Sequence, residues 1–242
     1  MLKNIPLVVP THHPQIDEKE LSRISISRAS NPHVIFVIPQ RNFNAFKKNY
    51  KWGEVISFDD KWFKSRESYN SLLLNHKFWD TLKYYSDVVI CQTDAILLKN
   101  VDTLPRLGFA FIGSPWRDKK KCRMMRGKIY DSYKKQFFIP FRSLSVGNGG
   151  LSFRNSDASR QIVDFISKRK YSSRLSSGIT NEDIVFSYFF KKFRFPIPNY
   201  DEANEIFMEQ TAKNLQSIPN VYGFHALSRY NPFLESKILN NR

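Results

Sequence analysis

The sequence predicts an α/β domain with a mostly parallel central sheet flanked by helices. Three observations carry that expectation. Short apolar runs rich in β-branched residues recur at Ile5 to Val9, Val34 to Ile38 and Val88 to Cys91, as in strands buried on both faces. Segments of helical spacing lie between them, and strand–helix–strand alternation favours parallel pairing. At 242 residues the chain can bury a proper core, and it shows no internal repeat. Residues 1–242 therefore read as one domain.

Taken in order, Ile5 to Val9 forms the first strand, ended by the polar loop Pro10-Thr11-His12-His13-Pro14. Asp17 to Ser27 has Leu21 and Ile24 on one helical face. Val34 to Ile38 is the second strand, stopped by Pro39-Gln40, and Val55 to Phe58 the third. Ser65 to Tyr85 reads as one long helix, with Ser65 as N-cap, Glu67 in the first turn and a stripe of Leu74, Phe78, Leu82 and Tyr85. Val88 to Cys91 follows as the central strand, then the polar triplet Gln92-Thr93-Asp94 and a second apolar run, Ala95 to Leu98. A carboxylate at the C-terminal end of a buried strand is either a turn or cap residue or part of a ligand crevice. Turn chemistry would favour Gly, Pro or Asn, and none occurs before Asn100.

Phe109 to Ile112 reads as a strand closed by Gly113-Ser114-Pro115-Trp116. Arg117 to Lys135 is dense in Lys and Arg, with Met124, Met125 and Tyr130 interleaved. It is either a solvated loop or a basic flap, at about 117–135, that grips anions or an anionic lipid surface. Ser145 to Gly150 reads as a loop where backbone passes close to something. Leu151 to Phe153 is a strand, and Ser156 opens a helix with a stripe of Ala158, Ile162, Phe165 and Ile166. Ser172 to Gly178 is a linker loop. Thr180-Asn181-Glu182-Asp183 opens another helix, and Thr180 with Asp183 resembles a capping box. Phe195 to Pro198 is extended.

Composition bounds the function. A hydrophobic content of 41% with 15% aromatics means a globular chain rather than a disordered one. The net charge of +16 favours anionic partners. Cys91 and Cys122 support neither a disulfide framework nor a Cys-based zinc site, which fits a reducing compartment. Met1 to Pro10 carries too short an apolar run for a signal peptide, and no apolar segment is long enough to cross a bilayer. The expectation is a cytoplasmic protein that can rest on the inner face of the membrane. No nucleic-acid motif occurs, so nucleic acid is not an expected partner. A basic binding module for nucleic acid or anionic membrane is the rival class to an enzyme.

Several landmarks occur in a fixed order: Gln92 with Asp94, Ile112 to Trp116, Gly147 to Arg154, Asn181 to Asp183, Ile197 to Ala203, and Gly223 with His225. Together they resemble the DUF5672 family of predicted bacterial glycosyltransferases, which is similar to the GT-A nucleotide-sugar transferases. The likeness covers roughly Leu72 to Tyr230. It implies a single GT-A-like, Rossmann-related domain that moves a sugar from a nucleotide-sugar donor, with a UDP-sugar favoured, to a glycan or lipid-linked acceptor in surface polysaccharide or glycoconjugate assembly. GT-A enzymes hold a divalent cation with an Asp-x-Asp motif. Here Asp94 takes the second position and Gln92 stands in the first, so the implied metal ligands are Asp94 and His225. Imidazole tips the choice of Mn²⁺ or Mg²⁺ towards Mn²⁺. With a neutral amide at residue 92, a metal-independent variant in which Lys and Arg neutralise the diphosphate stays open, as does a catalytically degenerate transferase.

The resemblance also makes Asp183 the candidate base of an inverting reaction, with Glu182 as alternate. Thr11 and Gln40 are candidate nucleotide contacts by position, beside Gln92, Thr93 and Asp94. Trp116 could stack on a sugar and is equally a core residue. Asn148, Gly149 and Gly150 would lie beside the donor sugar and acceptor.

Overall fold

The computed structural model describes residues 4–125, 128–131, 142–168 and 181–240. The first half alternates β1 (Leu7–Pro10), α1 (Glu18–Ser30), β2 (Val34–Pro39), α2 (Phe43–Asn49) and β3 (Glu54–Phe58). Then come α3 (Arg66–Leu73), α4 (His76–Thr81), β4 (Asp87–Cys91) and β5 (Ala95–Leu97). The second half contains β6 (Phe111–Met125), β7 (Lys128–Asp131), β8 (Arg142–Asn155), α5 (Ser156–Lys168), α6 (Glu182–Lys192) and α7 (Tyr200–Ile206). It closes with β9 (Phe207–Met208), β10 (Gly223–His225), α8 (Leu227–Tyr230) and α9 (Pro232–Asn240).

Among the described residues the main sheet has the order β3-β2-β1-β4-β8-β6-β7. Strands β3, β2, β1 and β4 are mutually parallel, β8 runs against both β4 and β6, and β7 runs against β6. Five strands thus share one direction, with β8 and β7 opposed. Alternating residues feed two cores, one on each face. Val8, Val88 and Ile90 enter the first core with Phe78, Ile162 and Phe186. Leu7, Val9 and Val89 enter the second with Ile24, Phe46 and Phe207. This period of two with both faces covered explains why the strands read as unbroken apolar runs. A smaller sheet, β5-β10-β9, packs beside the second core.

Two local expectations are corrected. The helix expected over Ser65 to Tyr85 is two helices. Ser65 does cap the first through a reciprocal bond with Ser68, but Asn75 accepts the Lys77 amide at 2.9 Å and starts a new helix. An Asn inside the stripe offers the backbone a competing cap. Leu74, Phe78 and Leu82 nevertheless stay buried. The Ser145–Gly150 loop is part of strand β8, which pairs with β6 through several register shifts between Gly113 and Lys120. Glycine inside a strand here marks close approach rather than a turn. Cys122, in the basic stretch, is buried on β6, and neither cysteine forms a disulfide.

In the basic stretch, the backbone of 117–125 and 128–131 belongs to β6 and β7, which pair antiparallel. Its reading as an anion-gripping flap rests on side chains that lie largely outside the described residues, and the Ser172–Gly178 linker lies outside them too. Among the described residues no helix is long and apolar enough to cross a membrane.

Candidate active site

The chain builds β1, β2 and β3 to one side of β1 and then returns to place β4 on the other. The C-terminal ends of β1 and β4 therefore flank the point where the strand order reverses, the usual crevice of an open α/β sheet. A cleft of about 560 Å³ opens there, lined by Thr11, Gln92, Thr93, Asp94, Lys64 and Arg66 among others. Thr11 is buried at its floor. Thr93 donates to a Glu20 carboxylate oxygen and its carbonyl accepts from Arg23, so α1 holds the triplet in place. Arg23 is itself buried and anchored by Glu235 of α9 at 2.9 Å. Among the described residues no carboxylate pairs with Lys64 or Arg66 at the rim.

The second sheet sets the partner of Asp94. Strand β10 runs antiparallel to β5, with His225 opposite Ala95, and the Ala226 amide donates to the Asp94 carbonyl at 3.1 Å. His225 Nε2 consequently lies 3.3 Å from Asp94 Oδ1. On the far side of the ring, Nδ1 lies 3.6 Å from Glu209 Oε1. Among the described residues neither buried ring nitrogen completes a well-formed hydrogen bond. The two carboxylates act on the ring through these long polar contacts and through their charge. Burial by itself would lower the imidazole pKa, but Asp94 and Glu209 outweigh it and raise it to about 9. Asp94 responds inversely. Burial would raise its carboxyl, yet His225 and Arg23 hold it below the ordinary value.

The glycine pair on β8 joins this centre to the acidic motif. A Cβ on Gly150 would fall 2.0 Å from His225 Nε2, and one on Gly149 would fall 2.2 Å from Glu182 Oε1. Only glycine lets both groups lie against the strand. The Gln92 amide donates to the Gly150 carbonyl at 2.8 Å, tying the triplet to the same point. Asp94, the two glycines and the start of α6 thus form one contiguous site.

Within the acidic motif the two carboxylates differ. Glu182 is buried and paired in a fork with the fully buried Arg154, at 3.0 and 3.2 Å. The Arg154 guanidinium also lies over Phe186 and Phe111. Both Glu182 oxygens are engaged, which corrects the expectation that it could serve as alternate base. Asp183 is half-buried and accepts the Ile184 amide at 2.7 Å. Desolvation, then the neighbouring Glu182 charge, pushes its carboxyl up to about 7. The N-cap of α6 is Asn181, without a side-chain cap bond. Thr180, and with it the capping-box expectation, lies outside the described residues.

Three further expected contacts are corrected. Gln40 does not line the cleft; its side chain accepts from Ser57 of β3. Trp116 is 8% exposed and sits in the first core against Gly147, so it offers no face to a sugar. Asn148 uses both ends of its amide internally, donating to Glu209 at 2.6 Å and accepting the Gly150 amide at 2.9 Å. The Ile197–Ala203 landmark is structural: Asn199 and Glu202 form a capping box at the start of α7.

Sequence reasoning missed Glu209, Tyr69, Lys64 and Arg66. Glu209 follows the two-residue strand β9 and belongs to no motif, so nothing local marks it. Tyr69 lines the cleft with its hydroxyl buried beside the Gln92 side chain, near Glu182 and Arg154. Its burial, chiefly, raises the phenol above its ordinary range, so it is a neutral donor.

The residues present fit a divalent cation in part. His225 Nε2 lies buried 3.3 Å from the Asp94 carboxylate, and once it gives up its proton the two form a mixed donor pair that suits Mn²⁺. Among the described residues no three His, Cys, Asp or Glu side chains converge to hold a metal. The protein would offer two ligands, and a bound phosphate or water would have to supply the rest.

These features define a GT-A-like domain, with the crevice at the ends of β1 and β4 and a carboxylate–imidazole pair beside it. The chain is similar to the crystal structure of mouse xyloside xylosyltransferase 1 in its apo form, with a TM-score of 0.52 and 12% identity. The likeness covers 91% of this chain and 96% of that one. The chain belongs to the family described as protein of unknown function (DUF5672), whose model matches residues 53–225. Comparison with the curated proteins finds no match.

Proposed function

We propose that this protein is a cation-assisted glycosyltransferase that uses a nucleotide-sugar donor. One observation carries the reading. The buried His225 Nε2 faces Asp94 beside a cleft of about 560 Å³, and only Gly149 and Gly150 separate it from a carboxylate poised near neutrality.

The cleft at the end of β1 takes the nucleoside, against Thr11 and the 92–94 triplet. Asp94 and His225 would hold Mn²⁺ or Mg²⁺, which would supply charge neutralisation for the departing diphosphate. Lys64 and Arg66, at the rim of the cleft, add positive charge where Gln92 replaces a carboxylate. Asp183 accepts the proton of the acceptor hydroxyl. The acceptor oxygen bonds to the anomeric carbon as the bond from that carbon to the phosphate oxygen breaks, and the nucleoside diphosphate leaves. A single displacement of this kind inverts configuration. A carboxyl near pH 7 is well matched to such a base. Tyr69, a neutral buried hydroxyl between cleft and acidic motif, is placed to donate to the sugar or leaving oxygen. The acceptor is a glycan or lipid-linked glycan, and the +16 charge favours work at an anionic membrane surface.

The test is donor hydrolysis by the purified chain with UDP- and GDP-sugars, with Mn²⁺ and with chelator. Slow turnover that chelator suppresses is expected. If no nucleotide sugar binds with or without Mn²⁺, the proposal fails.

A further inference from the structure

We infer that Glu209 is a positioning residue, which sets the His225 ring so that Nε2 faces Asp94. The inference rests on reading Asp94 and His225 as cation ligands. Strand β9 runs parallel to β10 with Phe207 opposite Gly223 and Met208 opposite Phe224. That register carries Glu209 alongside His225. Glu209 is 5% exposed, and its two oxygens act in different directions. Oε1 lies 3.6 Å from His225 Nδ1, and Oε2 accepts from Asn148 Nδ2 at 2.6 Å. Asn148 in turn accepts the Gly150 amide at 2.9 Å, and Gly150 is the residue against which Nε2 lies.

The ring is therefore fixed on three sides: Asp94 at Nε2, Glu209 at Nδ1, and the Gly150 backbone beneath it. Glu209 governs two of these, one directly and one through Asn148. A ligating imidazole needs its other N–H held by an acceptor so that the free nitrogen points at the ion. Glu209 is the one carboxylate among the described residues placed to do this without entering the cleft. Its negative charge also offsets the loss of the first carboxylate at Gln92, because it strengthens the donor power of the imidazole rather than adding a ligand.

The experiment uses the full, metal-free chain and two readouts. Mn²⁺ affinity is measured by electron paramagnetic resonance, and the His225 ring nitrogens are followed by NMR without metal. Glu209→Gln keeps the volume and an acceptor for Asn148 but removes the charge. It should weaken Mn²⁺ binding by roughly 10–100-fold and move the ring-nitrogen resonances. In a His225→Ala background the same substitution should have no further effect on Mn²⁺ affinity. Glu209→Asp keeps the charge but withdraws it from the ring; it is the second variant, and both readouts should fall between wild type and Glu209→Gln. Unchanged ring resonances in Glu209→Gln would overturn the inference, as would an equal affinity loss with and without His225. If wild-type protein takes up no Mn²⁺, the cation reading of Asp94 fails on its own, while the metal-free ring resonances still decide the role of Glu209.

Discussion

Two charged centres lie on either side of Gly149-Gly150, and they are built on opposite principles. At Gly149, Arg154 and Glu182 are buried and mutually saturated, with the guanidinium further covered by Phe111 and Phe186. At Gly150, His225 is flanked by two carboxylates yet completes no well-formed hydrogen bond. A saturated ion pair has nothing left to offer a ligand. A buried polar group left short of partners is a standing penalty that binding can relieve. Under the proposed function the first centre is structural and the second carries the chemistry, with Asp183 at the border.

The largest expected effect tests the saturated side. Arg154→Met leaves the Glu182 charge buried and unpaired, and should lower stability by about 3–5 kcal/mol in a denaturant titration. The double variant Arg154→Met with Glu182→Leu should recover most of that loss, because no isolated charge remains. If Glu182→Leu instead abolished turnover in a folded double variant, Glu182 would have to be returned to the chemistry.

Asp183→Asn comes next. It should reduce sugar transfer by about 10²- to 10⁴-fold with the fold intact, as for loss of a general base. Transfer by the wild type should rise with pH through about 7, because the carboxylate must be deprotonated to accept the hydroxyl proton. A pH–rate profile unchanged by Asp183→Asn would dismiss this residue as base.

Alanine at each glycine separates the two centres more finely. Gly149→Ala presses on Glu182 and should lower stability by roughly 1–3 kcal/mol, the usual range for overpacking. Gly150→Ala presses on His225 and should weaken Mn²⁺ binding by roughly 10-fold or more, the scale seen when a ligand's support is disturbed. Calorimetry and Mn²⁺ titration on both variants check the contrast, and identical profiles would dissolve it.

The smallest effect is on stability against pH. The Asp183 carboxyl is raised from an ordinary 3.8 to about 7 by burial and by Glu182. Between those values the folded state keeps a proton that the unfolded chain releases, so this group's contribution to stability is lost as pH rises through that window. Asp183→Asn should flatten the corresponding slope in melting temperature between pH 4 and 8.

Much of the scaffold was legible in residue order. Val34 to Ile38 and Val88 to Cys91 announce themselves as strands because both faces are buried, and Ser65 announces a helix start through its capping chemistry. The break at Asn75 was not legible, because a mid-stripe Asn signals a cap only once its side chain has turned to the Lys77 amide. Trp116 and Asn148 were equally open in sequence. Their residue types suit a binding site, but packing against Gly147 and a bond to Glu209 absorbed them.

What the sequence determined by itself is the alternation of apolar runs and caps, and hence an α/β sheet with Asp94 at the end of its central strand. These are local matters, set by periodicity and by side chains that bond within a few residues of themselves. Tertiary structure alone decided that Glu182 pairs with Arg154, and that Glu209 lies beside His225. Those pairings join residues 28 and 16 positions apart through strand register and burial. The desolvation that raises the Asp183 carboxyl and the paired carboxylates that raise the His225 imidazole exist only once the chain has closed around them.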